Sequence, residues 1–278
     1  MDLQLSGKRA LITGSTSGIG EATARFLAKE GVAVAVHGRS AERAERVTAE
    51  INAAGGTAVA AVGDLTDPEA ATQVAATVDA AFGGVDILFN NAGGGGRDPA
   101  RTDTTFLALE PEDWLGEYQH NVVTAVRMIR HFVPGMCTRG WGRVIQNASA
   151  VATTPRNWEN DYAVAKAAVV NLSVGLSKAL ARSGVTVNTV SPGLILTSAQ
   201  TTGETPWLRT FARSQGWDDS LPIEELEAMW AASRGIPAGH AGRVEDIAAM
   251  VALLASPLGG FVNGANIRVD GGQNQAIN

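Results

Sequence analysis

Residues 8–20 read Lys8-Arg9-Ala10-Leu11-Ile12-Thr13-Gly14-Ser15-Thr16-Ser17-Gly18-Ile19-Gly20. Lys8–Thr13 has the short apolar run of a buried strand, and Gly18–Lys29 places Ile19, Ala22, Phe26 and Leu27 at helical spacing. Between them three glycines stand in the pattern Gly-x-x-x-Gly-x-Gly. Glycines let a chain turn tightly and let its backbone approach a pyrophosphate, while the helix N-terminus supplies amide donors and the positive end of its dipole. The spacing differs from the Gly-x-Gly-x-x-Gly of other dinucleotide folds. A Gly-rich strand-to-helix turn without a ligand has the same local pattern, so the rest of the chain must decide.

Outward from this loop, strands and helices alternate. Val32–His37 is a β-branched strand, Ala41–Ala54 a polar-faced helix closed by Gly55-Gly56, and Thr57–Val62 a third strand. Asp67–Phe82 is a helix with Asp67 as N-cap, Pro68 at its first position and Gly83-Gly84 behind it. Val85–Phe89 is a fourth strand. The second half continues with a long helix over Pro111–Cys137, a strand at Gly142–Asn147, a helix over Trp158–Arg182 and a strand at Val185–Thr189. A helix at Glu245–Ala255 and a strand at Ala265–Val269 finish the series.

Several of these strands are apolar without a period of two. That pattern belongs to a mostly parallel sheet covered on both faces, here seven-stranded: an α/β, doubly wound, three-layer fold of Rossmann type. Two connections are long, 92–110 and 193–242. Long loops in compact domains usually serve function, and ligands of doubly wound sheets sit beyond the carboxyl ends of the strands, where both loops start. No Pro/Ser-rich linker divides the chain. We therefore expect one domain over 1–278, with a substrate lid at about 193–242.

The composition narrows the function class. With 45% hydrophobic and 18% charged residues among 278, the chain can bury a large core. A net charge of −6 argues against nucleic acid, which needs a basic face. The single cysteine, Cys137, excludes an internal disulfide and a CxxC metal site, and core packing is its expected role. His37, His120, His131 and His240 have no metal spacing and no HExxH partner, so no metal is expected. There is no GxSxG nucleophile elbow. The N-terminus lacks a basic region followed by an apolar run, and the longest uncharged apolar stretches are broken by Gly, Pro and Asn. A cytoplasmic protein without a membrane span is the expectation.

The second strand ends His37-Gly38-Arg39-Ser40. NAD-binding folds place an acidic residue about 20 positions beyond the glycines, on the ribose hydroxyls. Gly38 stands there instead. Arg39 can pair with a 2′-phosphate, with Ser40 or Ser15 adding a hydrogen bond, so NADP(H) is favoured. In the alternative, Arg39 stacks on the adenine or faces solvent and NAD(H) binds. Asp64-Leu65 and Asn90-Asn91-Ala92-Gly93 follow the third and fourth strands at the same edge. Asp64 can accept from an adenine amino group, and the Asn-Ala-Gly turn offers backbone at close approach.

Tyr162 and Lys166 lie four residues apart on a predicted helix, hence on one face. A free tyrosine titrates near ~10, and a neighbouring ammonium favours the phenolate and lowers that value. A helix-surface pair has the same spacing. Ser149, at the end of a strand, adds a hydroxyl that can hold a substrate oxygen beside the phenol.

With these motifs in order, the chain resembles the short-chain dehydrogenase/reductase family over nearly its full length, among them its 3-oxoacyl-reductase-like members. The glycine loop is Thr13–Gly20, comprising Gly14, Ser15, Thr16, Ser17, Gly18, Ile19 and Gly20. The resemblance implies Asp64 on the adenine side, Asn91, Ala92 and Gly93 in the turn, and a catalytic set of Asn121, Ser149, Tyr162 and Lys166. It also implies a Pro192-Gly193 turn, Thr197 near the nicotinamide carboxamide, and a closing Val269–Gly272. The implied chemistry is hydride exchange with a carbonyl or secondary alcohol. Tyr162 handles the proton, Lys166 lowers its pKa and holds the ribose, Ser149 orients the substrate, and Asn121 anchors a water on the way to solvent. The family implies a homotetramer, built on the helices that start near Pro111 and Trp158.

The chain departs from the family pattern at Ala148, before the serine, and in the run Gly94-Gly95-Gly96. The 193–242 segment carries Trp207, Phe211, Trp217, Leu221, Met229 and Trp230. Large aromatics suit a bulky substrate, but a short amphipathic helix over Glu224–Ser233 explains Met229 and Trp230 as core. Gly94, Arg156, Trp158 and Trp207 are the substrate-side candidates, and Arg156 can face an anionic substrate or solvent. Two rivals stay open: an NAD-dependent sugar, polyol or alcohol dehydrogenase of the same family, and a cofactor-binding scaffold or sensor without turnover.

Overall fold

The computed structural model describes residues 1–94, 105–197 and 207–275, with the side chain of Trp207 outside the described part. Its strands are β1 (Arg9–Ile12), β2 (Ala33–Gly38), β3 (Thr57–Val62), β4 (Ile87–Asn90), β5 (Gly142–Asn147), β6 (Val185–Pro192), β7 (Ile195–Leu196), β8 (Gly242–Arg243) and β9 (Asn266–Val269). Seven of them form one parallel sheet in the order β3-β2-β1-β4-β5-β6-β9, and β7 pairs with β8. Chain order reverses beside β1, where Ile12 pairs with Val36 of β2 on one side and Phe89 of β4 on the other. That reversal opens the crevice in which doubly wound sheets take ligands.

The helices are α1 (Gly18–Lys29), α2 (Ala41–Ala53), α3 (Pro68–Phe82), α4 (Pro111–Tyr118), α5 (Thr124–Arg139), α6 (Asn160–Ala179), α7 (Trp207–Ser214), α8 (Ile223–Ser233) and α9 (Val244–Ala255). Successive strand residues serve opposite faces. Ile12, Val34 and Val36 pack with Leu27 of α1 and Ile247 and Val251 of α9. Leu11, Ala35, Leu88 and Val144 pack on the other face with Val74 of α3 and Met128 and Phe132 of α5. Burying each such side chain is worth about 1.5–3 kcal/mol, so this two-sided core is the main source of stability. Cys137 packs at the edge of the second face, as expected.

Local chemistry sets the ends. Asp67 accepts from the Glu69 amide at 2.9 Å, Pro68 opens α3, and Gly83 closes it in the left-handed region. Two helices differ from expectation. The long helix expected over Pro111–Cys137 is α4 and α5 joined by a π turn at Gln119–Val123, and it runs on to Arg139. The helix expected from Trp158 begins at Asn160, because Glu159 takes φ 60° and Trp158 bridges to Thr105 instead.

The segment 193–242 contains a small core of its own. Leu208 and Ala212 of α7 meet Leu226 and Trp230 of α8, with Leu196 and Ala241 beneath. The amphipathic helix expected at Glu224–Ser233 is α8, and Trp230 is a core residue at 3% exposure.

Candidate active site

The phosphate-type loop is held from behind by His37. The Gly14 amide donates to His37 Nδ1 at 3.0 Å, and Nε2 faces the Gly63 carbonyl at 3.1 Å. One nitrogen accepts and the other donates, so the ring is neutral and carries its proton on Nε2. Burial pushes its pKa down to about 4, which keeps that tautomer at neutral pH. Ser15 completes the clamp: its amide donates to His37 O at 2.8 Å, its hydroxyl donates to Ile12 O at 2.7 Å, and His37 N donates to Ser15 Oγ at 2.9 Å. Ser15 is thus a buried pin of the loop. On the other side, Thr13 Oγ1 accepts from the amides of Asn91 and Ala92, both at 2.9 Å, and Asn91 Nδ2 donates to Gly14 O at 2.9 Å. At Gly20 a Cβ would fall 2.2 Å from Gly14 O, so only glycine fits.

A cavity of about 400 Å³ lies in front of this loop. Gly14, Thr16, Ser17, Gly18, Ile19 and Gly20 border it, as do Arg39, Asp64, Leu65, Asn91, Ala92, Gly93, Gly94 and Thr197. The site therefore fits a dinucleotide: bare backbone at a helix N-terminus at one end, and Tyr162 and Lys166 at the other. Gly38 also borders it, and a Cβ there would stand 2.4 Å from Thr16 Cγ2. Thr16 thus occupies the place where an acidic side chain would begin. Arg39 beside it is exposed and makes no ion pair among the described residues.

The Ser40 hydroxyl caps α2 by accepting from the Arg43 amide at 3.3 Å. Gly193, after Pro192, is glycine because a Cβ there would meet Asp270 Cβ at 2.6 Å. His120 also borders the cavity.

At the other end, α6 presents Tyr162 and Lys166 on one face, and Ser149 follows β5. Burial pushes the Tyr162 phenol up to about 12, while its hydrogen bond with Ser149 works in the opposite direction. Lys166 Nζ stands 5.6 Å from the phenol ring centroid, and burial lowers its ammonium to about 8. Lys166 Nζ donates to Asn147 O at 2.8 Å, and Asn147 Nδ2 donates to Asn91 Oδ1 at 2.9 Å, which ties α6 to the turn beside the glycine loop. Asn121 sits in the π turn, a distortion common at functional sites. Its Oδ1 accepts from Gly94 N at 3.0 Å and its Nδ2 donates to Glu117 Oε2 at 2.9 Å, so it touches the turn and not Lys166. Arg156 and Trp158 lie together beyond Ser149. Trp207 opens α7, and its side chain lies outside the described residues, as do Gly95 and Gly96.

The short chain dehydrogenase sequence profile matches residues 8–206. The 3-oxoacyl-(acyl-carrier-protein) reductase of Haemophilus influenzae is 32% identical over 268 residues, 96% of this chain and 98% of the relative. The chain belongs to the short-chain dehydrogenase family. Members of that family are NAD(P)-dependent oxidoreductases, and this chain is one. L-Sorbose reductase from Gluconobacter frateurii, solved with NADPH and L-sorbose, superposes with a TM-score of 0.89 at 32% identity and full coverage of both chains. A gluconate 5-dehydrogenase from Burkholderia cenocepacia, solved with NADP and tartrate, has a TM-score of 0.80 at 31% identity over 99% of this chain and 98% of its own.

Within this short-chain dehydrogenase, sequence reading missed Glu117, His37 and Thr13. Glu117 is 2% exposed, and its charge acts on both Tyr162 and Lys166. Its i−4 spacing to Asn121 was the available signal. His37 and Thr13 at two strand ends gave none, since their partners come from distant segments. Among the described residues no three His, Cys, Asp or Glu side chains are grouped to hold a metal.

Proposed function

We propose that this dehydrogenase uses NADP(H) to interconvert a carbonyl compound and a secondary alcohol, with Tyr162 as general acid and base. One observation carries the roles: Tyr162 and Lys166 line one end of a glycine-cradled cavity whose other end carries Arg39, and Ser149 is hydrogen-bonded to the Tyr162 phenol. Bound NADP(H) supplies the hydride. Tyr162 holds its proton at neutral pH, since its pKa stands near 12, and it gives that proton to the substrate oxygen. Ser149 donates the second hydrogen bond to the same oxygen and orients it. Lys166 stands between the phenol and Asn147 as the charge that steadies the oxygen left on Tyr162. Asn121 holds the Gly94 backbone and so the turn that shapes the ribose side.

Three observations favour NADP(H) over NAD(H). No carboxylate stands at Gly38, Arg39 is uncommitted to an ion pair among the described residues, and two similar structures hold NADPH or NADP. The chain reads as one domain, with 193–242 as the lid over the substrate. Exposed Leu115 and Tyr118 on α4 and Val164 on α6 support pairing of these helices in a homotetramer. No described helix is long and apolar enough to cross a membrane, and we place the enzyme in the cytoplasm.

Tyr162→Phe tests the roles. We expect turnover to fall by about a thousandfold or more while NADPH binding stays within about twofold. Retained turnover removes Tyr162 from the mechanism. Lost NADPH binding would mean that the phenol serves the cofactor rather than the substrate.

A further inference from the structure

Two arginines meet beside the catalytic serine, one from the body and one from the lid. Arg156 lies in the segment after Ser149, and Arg234 caps the C-terminus of α8. Their guanidinium carbons stand 5.4 and 6.0 Å from the centroid of the same ring, Trp158. Arg234 also lies 5.7 Å from the Phe211 ring of α7. These cations are close enough that Arg156, after burial, is a cause of Arg234's lowered pKa.

Neither arginine has a carboxylate partner in an ion pair among the described residues, and Arg234 Nε is buried without a hydrogen-bond partner. Glu159 acts on Arg234 at a distance, as one negative charge against two positive ones. Both arginines line a cavity of about 280 Å³, together with Ala150, Thr154, Trp158 and Gln273. Ala150 follows Ser149 directly, and Arg156 is within electrostatic reach of the Tyr162 phenol.

Paired, half-desolvated cations with an unmet donor cost free energy that a bound anion offsets. Guanidinium forks match the planar oxygens of carboxylate and phosphate. We infer that Arg156 and Arg234, with Trp158 as their floor, form the anion subsite of this enzyme, so that its substrate is a small carbonyl compound bearing a carboxylate or phosphate group, or the matching hydroxy anion. The inference rests on the proposed function, because it places the reacting carbonyl at Ser149 and Tyr162. The cavity is small, which suits a short acid rather than a long acyl chain.

The test uses the purified full chain loaded with NADPH. The probes are 2-, 4- and 5-oxohexanoate, each against its methyl ester, and dihydroxyacetone phosphate against dihydroxyacetone. Turnover and calorimetric binding are both read. We expect at least one anion to exceed its neutral match by about tenfold or more in kcat/KM, carried by KM and weakened by salt. Preference for the oxo acids alone identifies a carboxylate site, and preference for the phosphate alone a phosphate site. Arg156→Gln and Arg234→Gln should erase the preference, lowering kcat/KM for the anions far more than for the neutral probes and leaving NADPH binding unchanged, while Arg234→Lys keeps part of it.

Equal binding and turnover of anions and neutral matches overturns the inference. So does a pair of Gln variants that lowers both classes together. If no probe is reduced at all, calorimetry still decides. Anion binding lost in both Gln variants keeps the subsite and counts against the proposed chemistry, whereas no anion binding removes the subsite.

Discussion

The two walls of the active-site cleft are built in different ways. The cofactor wall, from β1 to β4, presents backbone to the cavity: its turns at Gly14, Asn91 and Ala92 are pinned from behind by the side chains of Thr13, Ser15 and His37 through hydrogen bonds of 2.7–3.1 Å. The substrate wall is held by side chains. There Trp158, Phe211 and Arg234 stack across two segments, and α7 and α8 rest on a core of their own. Backbone clamps tolerate no added atom but accept many side chains facing the ligand. A side-chain wall can change its ligand by changing residues without disturbing the sheet. One wall therefore suits a constant cofactor and the other a variable substrate.

Each wall can be broken separately. On NADPH binding the largest effect is expected at Gly20→Ala, where the new Cβ meets backbone at 2.2 Å. Overpacking of about 3 kcal/mol corresponds to about a hundredfold loss of NADPH affinity, read by fluorescence titration. Unchanged affinity would show that the loop yields. Trp230→Ala should cost about 3 kcal/mol, confined to the lid. Hydrogen exchange and proteolysis should rise across 207–241 while NADPH affinity stays within about twofold. Faster exchange spread evenly over β1–β5 would show that the lid is no separate unit.

Arg39→Ala should weaken NADPH by about tenfold and leave NADH unchanged, as expected for one charge-assisted contact. An equal loss for both would place Arg39 on the adenine. The smallest effect is a pH shift. Burial lowers Lys166 to about 8 and the Glu117 carboxylate holds it up against that. Lys166 is charged below its pKa, so kcat/KM should fall on the alkaline side as the ammonium is lost. Glu117→Gln removes the supporting charge and should move that limb to lower pH. An unmoved limb would unlink Glu117 from Lys166.

Much of the cofactor wall was legible in sequence because its signals are local. Strands buried on both faces are apolar runs, the glycines and the α1 N-terminus are contiguous, and Asp67-Pro68 announces α3. Tyr162 and Lys166 are one helical turn apart, so their shared face follows from spacing. The internal hydrogen bonds of Ser15 and Ser40 were not legible, because a serine near a phosphate loop has the same sequence signature whether it faces the ligand or pins its own backbone. The start of α6 was misplaced because Glu159 reaches φ 60° without the glycine or asparagine that usually marks such a turn. The π turn at Asn121 leaves the apolar period of its helix nearly intact, so the pattern reads straight through it.

By itself the sequence determined the alternating α/β layers, the glycine loop between β1 and α1, the shared helix face of Tyr162 and Lys166, and through their order along the chain the family, because the local signals among these rest on neighbours within one or two turns of chain. Only the tertiary structure decided the His37 tautomer, the buried Glu117 contact with Asn121, the raised Tyr162 phenol and the meeting of Arg156 with Arg234. Those depend on segments far apart in the chain that burial brings together, and desolvation acts on a side chain only once its surroundings exist.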